Sequence, residues 1–264
     1  MSAELPGKRD IFDGLTIASA KQNAELLAGE QFSKVLPQAL VEWKAEGVRG
    51  VWFQIDLAHS QWVPVLAANG FEFHHAQPDY LMMTKWLPTD EPNGLPKYPF
   101  TSIGVGGLVV NRAGQVLLMK ERRGLYKGWK YPGGLGDPGE ELFVTAEREV
   151  FEETGVRCKA KSVLCFRHQM QFKWRGNSDI YVICVMEPLD ENNIEPTPCP
   201  QEAQACQWLS REQIDHLPAH EFHEFHRIIL QKYDELLQKG SKGCYPVSFD
   251  IPQLKRTWTM YFVD

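Results

Sequence analysis

Apolar and polar positions along this chain follow two periods, and the switches between them mark out its elements. Residues 19–46 repeat apolar side chains at helical spacing (Leu26, Leu27, Val35, Leu36, Leu40, Val41, Trp43), which predicts helix with a break near Gly29 and Pro37 and a stop at Gly47. VRGVWFQID over 48–56 predicts a strand with a buried middle, and HSQWVPVLAANG over 59–70 a helix closed by Asn69-Gly70. FEFHHA and YLMMTKW, across 71–86, predict two strands joined at Pro78-Asp79, and DIFDGLTI near the start adds an edge strand. These elements make a small α/β domain over residues 1–87. Four prolines then fall within residues 88–99, and proline fixes φ and removes donors, so this stretch reads as a semi-rigid linker.

The second half begins with SIGVGGLVVN (102–111) and QVLLMKER (115–122), two strands around a turn at Arg112-Ala113-Gly114. CKAKSVLCFRHQMQF (158–172) and SDIYVICVMEPL (178–189) predict a long hairpin. Residues 198–218 predict a loop, a strand carrying Trp208 and a short helix, and residues 219–239 a terminal helix. A second domain over 100–239 follows, and residues 240–264 form an extension too apolar to lie free, expected to pack on the body.

Between these strands lies WKYPGGLGDPGEELFVTAEREVFEETGV (129–156), where glycines and an acidic loop lead into a helix. Glu149, Glu152 and Glu153 fall within an arc of about 100° on that helix. Phe143, Ala146 and Val150 form an apolar stripe beside them that faces a core. Arg148 is the one nearby cation, and helical phase directs it away from the acidic ridge. Such a ridge is either a solvated face or a seat for a hard divalent cation, which favours carboxylate oxygen. The helix alone leaves both readings open.

Composition narrows the classes. Hydrophobic residues make up 43% of the 264 and charged residues 23%, the balance of a soluble globular chain. There is no apolar run of about 18–20 residues, so no membrane span is expected. The first residues, MSAELPGKRDIFDG, have neither the apolar core of a secretory leader nor the acid-poor make-up of a mitochondrial one. A net charge of −6 argues against a nucleic-acid backbone as the partner. The six cysteines form no Cys-x-x-Cys pair, which fits reduced thiols in a cytoplasmic setting, with nuclear and mitochondrial pools left open.

The spacing around the helix carries more. Gly134, five residues, Glu140, seven residues, then Arg148-Glu149-Val150, Glu152-Glu153 and Gly155-Val156 resemble the Nudix box at all nine of its fixed positions. The resemblance implies a mixed-sheet α/β/α sandwich that hydrolyses a nucleoside diphosphate linked to another moiety, with Mg²⁺ or Mn²⁺ as cofactor. Carried over residue by residue, it assigns the metal to Glu149, Glu152, Glu153 and the Gly133 carbonyl, and catalysis to Glu149, Glu153 and Glu202. Gly134, Glu140, Arg148 and Gly155 become structural members of the motif, with Arg148 and Glu140 bracing helix against loop.

RGVWFQI (49–55), GFEFHHA (70–76), TKWLP (84–88) running into NGLPKYP (93–99), FRHQ and SDIYVICV resemble a two-domain group of that family. The group includes plant ADP-ribose/NADH pyrophosphatases and an animal protein encoded antisense to basic fibroblast growth factor. Its N-terminal domain has been compared to acetyltransferases, but this chain has no glycine-rich loop of the acetyl-CoA type. The group implies ADP-ribose or NADH as substrate and AMP as product. The fold commonly dimerises, so a homodimer is one assembly, and its members with eroded boxes make a nucleotide-sensing binding protein the alternative function, although the intact box here favours an enzyme.

Other residues invite weighing. The basic run Lys120, Arg122, Arg123, Lys127 is either a solvated strand end or a phosphate contact, with Arg122 and Lys127 the candidates. Phe172 and Trp174 are candidates for stacking on a base. His74 and His75 should point to opposite faces of a strand, each satisfied locally. Trp43, Trp52, Trp62 and Trp86 are expected in the core. His220, His223 and His226 recur every three residues, which is not zinc-protease spacing, and the interposed Phe222, Phe225, Ile229 and Leu230 point to core packing.

Overall fold

A computed structural model shows how these elements assemble; it describes residues 5–27, 30–170, 177–251 and 256–263. The chain divides into two compact units, Met1–Pro99 and Phe100–Asp264.

The first unit contains β1 (Lys8–Arg9), β2 (Leu15–Ala18), α1 (Ala24–Leu27), α2 (Glu30–Ala45), β3 (Gly50–Asp56), α3 (Trp62–Ala68), β4 (Glu72–Ala76) and β5 (Tyr80–Trp86). Its sheet runs in the order β1-β2-β3-β5-β4, with β2 and β3 parallel. The segment expected as an edge strand is β2, and it lies inside the sheet because Lys8 and Arg9 pair outside it. Pro37 does not break the helix. It sits inside α2, where buried Phe32, Val35, Leu36, Ala39 and Trp43 anchor the helix on both sides of it. An interior proline costs about 3 kcal/mol, which burial of several large side chains offsets.

Phe32 stacks on Trp62 at 3.8 Å between centroids, and the Trp62 indole N–H donates to the Leu26 carbonyl at 3.0 Å. Trp43 and Trp62 are fully buried, as the sequence suggests for all four tryptophans. Trp52 and Trp86 are only half-buried: Trp52 meets His74 edge-on at 4.8 Å, and Trp86 lies under the Arg49 guanidinium at 4.9 Å.

The second unit contains β6 (Thr101–Val109), β7 (Val116–Glu121), β8 (Gly133–Leu135), α4 (Leu142–Thr154), β9 (Cys158–Met170), β10 (Ser178–Pro188), β11 (Ala203–Leu209), α5 (Arg211–His216), α6 (Glu224–Gln238), β12 (Cys244–Ile251) and β13 (Arg256–Val263). Six strands form one mixed sheet, β13-β12-β9-β10-β6-β8, in which β6 and β10 are parallel. Alternation along the central strands feeds two cores. Val105 and Val109 of β6, with Val182, Cys184 and Met186 of β10, pack against Ala146 and Val150 of α4. Leu108 and Ile183 point the other way, to Ile229, Leu230 and Tyr233 of α6. A sheet with a helix on each face follows, the α/β/α sandwich expected from the sequence.

The two strands expected at 102–111 and 115–122 form around the expected turn, where the Gly114 N–H donates to the Asn111 carbonyl, but they do not pair along their length. β8 and β10 occupy both edges of β6, so β7 leaves after a single bridge, Val110 to Val116, and pairs with β11. The terminal hairpin β12–β13 joins β9 at Cys244 and Val163, and Tyr261 meets Phe143 of α4 edge-on at 5.5 Å. Among the described residues no helix is long and apolar enough to cross a membrane.

A register shift in β4 between Phe73 and His75 brings the two imidazoles together instead of alternating them. Their Nδ1 atoms lie 2.7 Å apart. His74 Nε2 faces the Pro96 carbonyl at 2.9 Å and must donate, so His74 Nδ1 accepts from His75, whose Nε2 accepts from the Tyr80 hydroxyl at 3.2 Å. A proton added to His75 would go to Nε2 and take away the acceptor that the Tyr80 hydroxyl uses. Burial and then the neighbouring His74 hold the His75 pKa below the ordinary histidine value of 6.5. A base with a depressed folded pKa binds more protons unfolded, so its stabilising share is present above the unfolded value and is lost as pH falls below it. Hydrogen exchange of the full chain, corrected for intrinsic rates, should therefore show the β4–β5 turn, where the Gln77 N–H donates to the Tyr80 carbonyl, losing protection between pH 7 and pH 5. His75→Gln should flatten that response, and equal protection of the wild type at both pH values would refute the arrangement.

Candidate active site

β8 is three residues long, yet it fixes the site. Gly133 and Gly134 pair with Gly106 and Val105 of β6, which sets them against Glu153 and Glu149 in the second half of α4. A side chain does not fit at Gly133, and at Gly134 it would have to push the Glu149 carboxylate aside. At Gly133, where φ is 151°, a Cβ would lie 2.1 Å from the Val105 carbonyl oxygen, and at Gly134 it would lie 2.6 Å from Glu149 Oε2. α4 ends where Gly155, at φ 73°, takes the left-handed cap and donates its N–H to the Phe151 carbonyl at 2.8 Å.

Helical phase misplaces Arg148. Its long side chain turns back across the ridge, and its guanidinium uses all five donors. Nε and Nη2 hold Glu140 at 2.9 and 2.8 Å, Nη2 also reaches the Leu135 carbonyl at 3.1 Å, and Nη1 bridges Glu149 at 2.8 Å and Glu152 at 3.0 Å. The phase argument fixes where Cβ points, not where a flexible four-bond stem ends. Glu140 also accepts from the Asp137 N–H and the Thr145 hydroxyl, and with Arg148 these pull its pKa down to about 2.

The three ridge carboxylates differ in environment. Glu153 is 6% exposed, whereas the side chain of Glu152 is 51% exposed. Glu149 lies between them, and burial raises its pKa against the pull of Arg148. Glu153 is pushed up to about 7, first by burial, with Glu149 and Glu202 adding to the rise. Lys130 and the Gly133 N–H oppose it. That N–H donates to Glu153 Oε2 at 2.6 Å.

Glu149, Glu153 and Glu202 line one cleft of about 620 Å³ with Gly133, Gly134, Arg123 and Lys130. Glu202 is exposed, and its carboxylate has no hydrogen-bond or ion-pair partner among the described residues. Glu152 does not line the cleft. Neither does Arg122, whose guanidinium turns to the Ala203 carbonyl at 3.3 Å, nor Lys127, whose amine donates to the Arg122 carbonyl at 3.1 Å. Lys130, ion-paired with Glu121, and Arg123 supply the positive charge there. Arg123 belongs to the basic run visible in the sequence. Lys130 carries no such signal and is set by its place between Trp129 and Tyr131. Phe172 and Trp174 lie outside the described residues. The three histidines share no helical face, because α6 starts only at Glu224 and His223 is its N-cap, with Nδ1 accepting from the Phe225 N–H at 3.1 Å.

Among the described residues no three acidic, histidine or cysteine side chains converge as a ready-made metal cage. The reason is local, since Arg148 holds two of the ridge carboxylates. The donor set nonetheless suits a hard divalent cation: Glu202 and the ridge carboxylates add to the raised proton affinity of Glu149 and Glu153, and at Gly134 the backbone approaches Glu149 with no side chain between.

Residues 101–233 match the family model described as the NUDIX domain, and residues 5–87 match the one described as the Nudix hydrolase domain. Nucleoside diphosphate-linked moiety X motif 6 of Homo sapiens is 36% identical over 211 residues, which is 79% of this chain and 66% of the human protein. Nudix hydrolase 8 of Arabidopsis thaliana is 36% identical over 184 residues, 67% of this chain and 48% of its own length. The chain thus spans from about half to two thirds of these relatives. A solved NUDIX hydrolase from Nitrosomonas europaea superposes on 64% of this chain and 88% of its own, at 19% identity and a TM-score of 0.45.

Two substitutions test the geometry. Arg148→Lys keeps the charge but not the fork that holds Glu140 and Leu135. It should lower stability by about 1–2 kcal/mol in urea unfolding, and an unchanged midpoint would count against the bracing role. Gly134→Ala meets only the flexible end of Glu149, so it should change stability by less than ~0.5 kcal/mol. It should also displace that carboxylate and weaken divalent-ion binding measured by calorimetry. Wild-type affinity in this variant would show that Glu149 need not sit where it does.

Proposed function

Because this chain belongs to the Nudix hydrolase family, we propose that it hydrolyses the diphosphate of a nucleoside diphosphate joined to another group, with ADP-ribose and NADH as substrates and AMP as a product. The observation that carries this is the convergence of Glu149, Glu153 and Glu202 on one cleft bordered by Arg123 and Lys130. An acidic floor with cationic borders suits an anion delivered together with a cation. The family uses divalent metal ions, and here Glu149, Glu152, Glu153 and the Gly133 carbonyl would hold Mg²⁺, or Mn²⁺ in its stead. When bound, the metal neutralises diphosphate oxygens and makes an attacking water more acidic. Lys130 and Arg123 bind and orient the diphosphate. Glu202, exposed and unpaired among the described residues, is the carboxylate best situated to take the proton from that water. The Arg148 network keeps Glu149 and Glu140 in register with the loop during the reaction.

The small-molecule substrate, a cytoplasmic setting and a homodimer as one assembly belong to the same reading. All six cysteines are free thiols, which supports a reducing compartment. One observation favours a second reading. Arg148 already satisfies Glu149 and Glu152, and a chain that keeps that state would bind nucleotide without cutting it.

Product analysis separates the two. The protein with Mg²⁺ is offered ADP-ribose, NADH, NAD⁺, CoA, ATP and capped RNA, and AMP from the first two is the expected outcome. Nucleotide binding with no product from any of them would favour the sensor. Glu153→Gln should cut turnover by roughly 10–100-fold or more. The metal-free variant should melt no lower than wild type, since Gln still accepts from the Gly133 N–H and leaves no charge buried. An unchanged kcat at saturating Mg²⁺ would sink the assignment of Glu153.

A further inference from the structure

A second cavity of about 420 Å³ adjoins the acidic cleft, and the two share Gly133 and Lys130 as a common wall. Its chemistry differs throughout. The cleft is lined by Glu121, Asp137, Glu149, Glu153 and Glu202, whereas among the described residues no carboxylate lines the second cavity. Aromatic rings from four parts of the fold surround it instead: Tyr126 before β8, Tyr181 on β10, His223 at the cap of α6, and Phe225 and His226 within α6.

We propose that this cavity seats the planar base of the nucleotide, with Phe225 and the Arg167 guanidinium as its stacking surfaces and His226 as the group facing its edge. This rests on the diphosphate lying at the shared wall, as in the function proposed above. Arg167 already behaves as a π partner: its guanidinium carbon lies 5.4 Å from the Tyr181 ring centre and 5.7 Å from that of Phe225. Asp179, itself buried, holds the guanidinium at 2.9 Å, which fixes its position. The electron-rich faces of bases stack on such a surface in any sequence context.

His226 is packed among the rings of Tyr131, Phe222 and Phe225 at 5.3–5.4 Å, and its Nδ1 is buried with no partner. That leaves Nε2 as the nitrogen through which the ring, a lining residue, can serve a ligand. Burial, with His223, Lys130 and Arg167 nearby, lowers its pKa to about 4, so the ring is neutral near pH 7 and does not add to the cationic wall. The volume falls within the roughly 300–1,000 Å³ of small-molecule pockets. A ligand with a flat polar ring at one end and a diphosphate in its middle satisfies both cavities, and an aliphatic diphosphate leaves this one unfilled.

The test uses the full chain with Mg²⁺ and two probes that cannot be cut, α,β-methylene ADP and methylenediphosphonate. Phe225→Ala and Arg167→Ala should each weaken the ADP analogue by about tenfold in calorimetry, the loss expected for one stacking surface. Affinity for methylenediphosphonate should stay at the wild-type level. Equal losses for both probes, or no loss for either, would overturn the proposal. Phe225→Leu serves where alanine disturbs the packing of α6.

Photolabelling of the wild type with 8-azido-ADP needs no substitution. Label on Tyr126 or on residues 223–226 supports the cavity. Label confined to residues 171–176, around Phe172 and Trp174, overturns it. Label in the cavity without hydrolysis of any substrate would keep this inference and remove the hydrolase reading, and hydrolysis with the label elsewhere would do the reverse.

Discussion

Five hydrogen bonds leave one guanidinium, and they tie together parts of the chain that would otherwise repel or drift. Arg148 holds Glu140 from the loop, Glu149 and Glu152 from its own helix, and the Leu135 carbonyl from β8. Carboxylates this close would spread apart without a shared cation, and a half-exposed pair of ions alone would contribute little. Arg148 differs from such a pair because every donor is used and the fork matches the bidentate geometry of Glu140. The loop, the helix start and two acidic side chains are therefore one rigid object, and the cleft is defined by its edge.

The rest of the second unit presents that object. Alternating residues of β6 and β10 send one set of side chains to α4 and the other to α6, so a single sheet seats both helices. β6 can do this because its neighbours on both sides are fixed, β10 in parallel and β8 antiparallel. The same crowding excludes β7, which makes its own two-stranded pairing with β11 and carries Glu202, next to that strand, to the mouth of the cleft.

How much of this was legible in the sequence depended on the range of the interaction. The periods of two and 3.6 located most of the elements but not β1, β8, β12 or β13, and the fixed spacing of Gly134, Glu140, Arg148 and the glutamates identified the loop and helix. The failures lay one step beyond local pattern. Pro37 was expected to break a helix that tertiary burial carries through. His74 and His75 were assigned to opposite faces, but a bulge cancels the alternation. Arg148 was sent the wrong way because phase places a Cβ and says nothing of the stem beyond it. The strands β6 and β7 were placed around their turn, but nothing local reveals that a three-residue strand 20 or more positions later takes the edge of β6 and sends β7 to another partner. Lys130, Tyr181 and His226 could not be seen as site residues at all, since only the folded sheet brings them to Gly133.

The two cavities meet at Lys130 and Gly133 and divide nearly everything else between them. One is built by the loop and α4, the other by β9, β10 and the start of α6. Changes on one side therefore share few contacts with changes on the other, and their energetic effects should add. A lineage could exchange Tyr126, Phe225 or His226 piecemeal and try new ligands, with the nine motif positions untouched. Lys130 and Gly133 are where such drift would have to stop.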